Sequence, residues 1–129
     1  MSKSIFISCV HEEKYLIDWL HNWSRAGEFG DIVFIHAMEE DKRSAGDDDV
    51  RRYIMDQIDK TTAVVVLVGR DTHNHKWITW EVEIAQRRNK KIFCIRIPNT
   101  SGGVPPILKE YPIIEFKLEE LKRSFRILN

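Results

Sequence analysis

Glu81 is the residue of this sequence best placed to do chemistry. It lies in HKWITWEVEIAQRRNKK, residues 75 to 91, which reads as an amphipathic helix ended by a basic run. At about 100° per residue, Trp77, Ile78, Trp80, Val82, Ile84 and Ala85 spread over one broad apolar arc, and Glu81 falls inside it. Glu83 lands instead with Thr79, Gln86 and Arg87 on the polar face, where an acid is an ordinary solvated residue. Burying a carboxylate is costly, so one kept in a cleft points to function. A desolvated anion suits a reaction that develops positive charge on a sugar, and glycosidic bond cleavage fits without a metal. The competing reading is structural: an ion pair with Arg88, two turns along the same face, or a side chain that reaches solvent at the helix end.

Other chemistry is less well supported. There is no G-x-x-x-x-G-K-[ST] and no G-x-G-x-x-G, which argues against the usual phosphate-cradling loops and hence against phosphoryl transfer. A phospho-receiver would need an Asp directly after its third strand, but that strand ends Val68-Gly69-Arg70 and Asp71 comes too late. Cys9 and His11 have no identifiable orienting acid, so a buried thiol beside an exposed imidazole is the simpler account. His73 and His75 have zinc-chelating spacing without a third ligand, and no metal is expected. The run Arg87-Arg88-Asn89-Lys90-Lys91 suits the negative end of a helix dipole better than a phosphate site. Trp19, Trp23 and Trp80 read as core and helix-packing residues, whereas Trp77, at the start of its helix, borders the expected cleft.

The elements that would position Glu81 alternate along the chain. SIFISCV (4 to 10), DIVFIHA (31 to 37), AVVVLVG (63 to 69), KIFCIRI (91 to 97) and PIIEF (112 to 116) read as strands. Between them, residues 12 to 27 carry Tyr15, Leu16, Trp19, Leu20 and Trp23 at helical spacing before Gly27. The acids Asp47 to Asp49 open a helix that buries Val50, Ile54 and Ile58, and a last helix closes the chain. NTSGGVPP (99 to 106) is a loop. Such alternation predicts an α/β, flavodoxin-like three-layer fold: a five-stranded, mostly parallel sheet of order 2-1-3-4-5 with helices on both faces. Ligands of such sheets bind outside the carboxyl ends of the strands, here the loops 8 to 13, 37 to 47 and 69 to 76.

With 129 residues, the sequence reads as one domain, 1–129. Twenty Lys and Arg against twenty Asp and Glu give no net charge, so neither nucleic acid nor a membrane surface is an expected partner. No signal peptide or bilayer-length apolar run is visible, and a cytoplasmic location is the expectation. Cys9 and Cys94 are expected inside strands as buried thiols, roughly 9 to 10 Å apart across the sheet and so beyond disulfide reach.

The strands IFISC and AVVVLVG, and above all GRDTHNHKWITWEVEIA, resemble the TIR-like domain of bacterial Thoeris anti-phage defence proteins, relatives of the Toll/interleukin-1 receptor domains that cleave NAD. The family's Trp followed four residues later by a catalytic Glu corresponds to Trp77 and Glu81, with Val82 where Ile is usual. The resemblance implies that NAD is a substrate and that no cofactor is needed. It implies that Glu81 steadies the nicotinamide ribose as nicotinamide leaves, and that Ser8, His11 and Trp77 shape the pocket. It further implies self-association, with the loop 37 to 47 gating the site or mediating assembly, and an ADP-ribose-derived, cyclic signal that activates a companion effector. Two other functions share the sheet: a non-enzymatic TIR assembly module, and a nucleoside deoxyribosyltransferase-like enzyme with a Glu nucleophile.

Overall fold

The computed structural model describes residues 3–10, 15–36 and 48–128. His11 and the loop 37–47 therefore lie outside the described residues. Five strands, β1 (Lys3–Ser8), β2 (Ile32–His36), β3 (Ala63–Val68), β4 (Lys91–Arg96) and β5 (Ile113–Glu115), form one sheet. Its order is β2-β1-β3-β4-β5 and every pairing is parallel, as the alternation of elements predicts. The described helices are α1 (Tyr15–Arg25), α2 (Asp48–Asp59), α3 (Lys76–Arg87) and α4 (Leu118–Phe125).

Alternation along the strands sorts the core into two layers. Ile5, Ile7, Ala63, Val65, Leu67 and Ile95 face α1 and α4, where they meet Leu16, Ile17, Leu20, Leu121 and Phe125. Phe6, Val64, Val66, Val68 and Cys94 face α2 and α3 and pack on Ile54, Ile58, Ile78 and Val82. Strand β3 is completely enclosed, with all six residues at 0% exposure. Burial of each Val or Leu side chain there contributes about 1.5–3 kcal/mol, so β3 anchors both layers.

Two helices end in backbone motifs that satisfy the last carbonyls, the first at the glycine expected to stop it. After α1, Gly27 adopts φ 79, and the Gly27 and Glu28 amides donate to the Ser24 and Trp23 carbonyls. After α3, Asn89 takes the same left-handed role at φ 56, with the Asn89 and Lys90 amides donating to the Gln86 and Ala85 carbonyls.

Some expectations shift. Strand β1 ends at Ser8, so Cys9 follows the strand instead of lying in it. Cys9 joins the α1/α4 layer and Cys94 the α2/α3 layer. The two buried thiols thus sit on opposite faces of the sheet, which excludes a disulfide more firmly than their lateral separation does. Burial pushes the Cys94 thiol up to about 11, Arg96 opposing it. On α1 the buried stripe is Leu16, Ile17 and Leu20, while Tyr15 and Trp19 are more than half exposed. Ile17 lies inward where Trp19 was expected, and the Trp19 ring instead rests on Trp23, 5.7 Å between centroids. Trp80 is half-buried beneath the Arg51 guanidinium, 5.9 Å from the ring centre.

Being central and covered on both faces, the amides of Val64 to Val68 are expected to exchange more slowly than those of the short edge strand Ile113–Glu115. Native-state hydrogen exchange by NMR checks this, and faster exchange at Val66 than at Ile114 would contradict the layering.

Candidate active site

The last residue of β1 fixes the site. Ser8 shares side-chain parity with Phe6, so its hydroxyl points into the α2/α3 layer, where α3 crosses. There Ser8 Oγ donates a hydrogen bond to Glu81 Oε1 at 2.7 Å, and both residues are at 0% exposure. That length is an ordinary one for a hydroxyl donor, and such a bond is roughly twice as strong to an ionised carboxylate as to a neutral group. Glu81 comes inward with Ile78, Val82, Ile84 and Ala85 because the apolar arc of α3 carries it there. Glu83 does not follow it: its side chain is 44% exposed and 4.0 Å from Arg87, a surface pair of little energetic weight.

Arg88 does not serve as the structural partner of Glu81. Its Nε bonds Asp59 Oδ1 at 2.7 Å, and Lys90 Nζ donates to the Asp59 carbonyl at 3.0 Å. The basic run that follows α3 thus ties this helix to the end of α2.

Trp77 stands one turn before Glu81 on α3, half-buried. Its indole Nε1–H is enclosed and meets no acceptor among the described residues. Buried donors of this kind are rarely left without an acceptor, so the indole is suited to a bound ligand. The His75 imidazole packs edge-on against the Trp77 ring, 4.6 Å between centroids. His73 turns the other way, its ring against Gly103. Among the described residues no group of three His, Cys, Asp or Glu is arranged to hold a metal, and the two histidines serve different neighbours.

The segment between β3 and α3 is pinned by Thr72, a buried residue that inspection of the sequence did not single out. Its Oγ1 accepts from the Gly69 amide at 2.8 Å and donates to the Leu67 carbonyl at 3.3 Å. The only signal for it is a hydroxyl three residues after a strand-ending glycine. The structure thus joins Ser8 to Glu81 and sets Trp77 a turn away, while His11 lies outside the described residues. Cys9 turns into the opposite layer. Ser8 ends β1, and β1 and β3 are the neighbours at which the strand order reverses, the place where open α/β sheets bind ligands. A carboxylate with most of its water removed and bonded to a buried hydroxyl can stabilise positive charge on a reacting centre or accept hydrogen bonds from sugar hydroxyls.

The model of the family described as Thoeris protein ThsB, TIR-like domain, matches residues 6–102. A curated relative from Bacillus cereus (strain MSX-D12), named "Putative cyclic ADP-D-ribose synthase ThsB1", is 26% identical over 103 residues, which are 75% of this chain and 53% of the relative. The chain thus spans about half the length of the curated relative it matches. A crystal structure of the TIR domain of the Toll-related receptor TRR-2 from Hydra magnipapillata superposes with a TM-score of 0.63. That match covers 96% of this chain and 93% of the other at 16% identity, a likeness that speaks for the fold alone.

The hydrogen bond between Ser8 and Glu81 makes the two residues energetically coupled. Ser8→Ala strips a donor from a buried carboxylate and is expected to cost about 1.5–3 kcal/mol of folding stability. In a Glu81→Gln background the same change is expected to cost less than about 1 kcal/mol, because a neutral amide loses only an ordinary bond. Glu81→Gln alone should melt no lower than the parent, since it removes a buried charge while keeping the shape and the acceptor oxygen. Denaturant unfolding of the four proteins of this cycle supplies the test. Additive costs would mean that the carboxylate carries no charge for Ser8 to stabilise.

Proposed function

The chain belongs to the Thoeris ThsB TIR-like domain family, and on that premise we propose that it is an NAD-cleaving enzyme of anti-phage defence. The observation that carries the reading is the fully buried Glu81 carboxylate, bonded to Ser8 at the carboxyl edge of the sheet, while Arg88 is engaged elsewhere. The printed name of the Bacillus cereus relative, a cyclic ADP-D-ribose synthase, supports the same substrate class.

In the proposed reaction NAD lies across the carboxyl edge with its nicotinamide ribose against Glu81. The bond between the anomeric carbon and the nicotinamide nitrogen breaks, and its electron pair leaves with the ring as neutral nicotinamide. The ribosyl centre left behind is oxocarbenium-like, and a desolvated carboxylate stabilises it more strongly than a hydrated one. Ser8 holds Oε1 of that carboxylate in place. The Trp77 Nε1–H supplies a donor toward the bound nucleotide, and His11 joins Ser8 and Trp77 in shaping the pocket. An acceptor within the same nucleotide then captures the cation and gives a cyclic ADP-ribose-type signal, which activates a companion effector in the cytoplasm. No bound cofactor takes part, and NAD is the substrate.

Glu81→Gln is expected to lower nicotinamide release by about 10²–10³-fold, in line with the loss of other electrostatic stabilisers. Glu83→Gln, on the polar face, should leave release unchanged. Nicotinamide is measured by mass spectrometry where the parent is active, with a deoxynucleoside offered in parallel. An active Glu81→Gln protein would defeat the catalytic assignment. Loss of the base from the deoxynucleoside alone would favour a deoxyribosyltransferase, and turnover of neither substrate an assembly module.

An NAD-consuming enzyme that ran without restraint would harm its own cell, so activity is expected to depend on self-association. Nicotinamide release per protomer should rise steeply with protein concentration. Rapid release from dilute monomer would contradict that dependence.

A further inference from the structure

The turn that delivers Trp77 and Glu81 to the site does not stand alone. Helix α3 begins after His75, which offers its first turn no side-chain cap. The Ile78 amide donates to the His75 carbonyl at 3.2 Å, but no side chain at the cap position fixes the helix start. Residues 96 to 103 lie against the segment that leads into it. Arg96, the last residue of β4, donates from Nη1 to the Gly102 carbonyl at 2.8 Å. Thr100 Oγ1 donates to the Ile97 carbonyl at 2.7 Å, and Asn99 bends back at φ 62. The loop so formed presses its backbone onto the segment after β3. A Cβ on Gly102 would fall inside van der Waals contact of the Gly69 and Arg70 carbonyl oxygens, which are backbone and cannot swing away. Gly103 lies against the His73 ring. From there the contacts run on: Gly69 to Thr72 Oγ1, the His75 amide to the Thr72 carbonyl at 3.2 Å, and the His75 ring to Trp77.

We infer that residues 96 to 103 are a brace for the reacting helix, with Arg96 and Gly102 as positioning residues that set Trp77 and Glu81 through the turn 69 to 75. Neither residue needs to touch the substrate. The brace matters because a catalytic carboxylate acts only within a narrow range of placement, and a misplacement of about 1 Å can cost about 100-fold in rate. The inference rests on the reading of Glu81 as the reacting carboxylate, so its test includes a signal that needs no turnover.

Gly102→Ala is the direct probe. Added volume at the contact should push the turn away while β3 keeps its protection. Three measurements are made on the purified protein: amide exchange at Gly69 and His75 against Val64 to Val66, the NMR cross-peak of the Trp77 indole N–H, and the kinetics of nicotinamide release. The expected result is faster exchange at Gly69 and His75, a displaced indole peak, and a kcat lowered by about tenfold or more with KM changed less than threefold. Unchanged turn amides and an unmoved indole peak would overturn the inference. So would a loosened turn with an undiminished kcat. If Gly102→Ala also strips protection from Val64 to Val66, Arg96→Gln, which removes one hydrogen bond and adds no volume, is judged by the same criteria. If the parent releases no nicotinamide even at high protein concentration, the enzymatic reading fails on its own. The brace is then decided by the indole peak, whose displacement supports it and whose constancy overturns it.

Discussion

Keeping one carboxylate inside the α2/α3 layer is the constraint on which the rest of the arrangement depends. A carboxyl group at 0% exposure is tolerated only if the fold returns to it some of what water supplied, and the Ser8 hydroxyl contributes to this at 2.7 Å. That single bond requires the end of β1 and the second turn of α3 to meet, although they lie 73 residues apart in the chain. The parallel pairing of β1 with β3 brings them within reach, and the enclosed strand β3 keeps the spacing constant. The surrounding cations are turned outward: Arg88 and Lys90 to Asp59, Arg87 to Glu83. The described cations at the end of α3 are therefore engaged away from the Glu81 carboxyl group.

Much of this could be read from residue order, because periodicity reports which way a side chain faces within its own element. The inward turn of Glu81 and the outward turn of Glu83 follow from helical spacing alone. The strand order follows from the alternation of strands and helices and from the handedness of crossovers. Contacts between elements were not legible. The family resemblance implies that Ser8 helps to shape the pocket, but its contact with Glu81 was not foreseen, since parity within β1 says nothing of which helix covers it. The face of α1 was misread because five large apolar residues fit more than one stripe, and only the sheet beneath decides that Ile17 lies inside and Trp19 at the margin. Thr72 and Gly102 were passed over for another reason. Their roles come from backbone groups they approach, and backbone carries no sequence signal.

The likeness to the Hydra receptor domain and the match to the ThsB family weigh differently. A shared sheet at 16% identity is what any chain of this architecture could display, and one fold can serve unrelated functions. The buried acid is a more specific property. The bond from Ser8 to Glu81 and the indole donor of Trp77 are the features on which the enzymatic proposal rests.

Alternation along β1 also constrains how such a chain can change over evolutionary time. Ser8 reaches Glu81 only because it has the parity of Phe6, and its neighbours Ile7 and Cys9 belong to the opposite layer. Removing a single residue from within β1 would reverse that parity. A thiol or a branched hydrocarbon would then be presented to the carboxylate, and the hydroxyl would be carried in among Leu16 and Leu20. Substitutions can be absorbed there one at a time, but insertions and deletions cannot. Length variation among descendants of this chain should accordingly collect in the loops, while β1 behaves as a fixed ruler between the strand's start and its last hydroxyl.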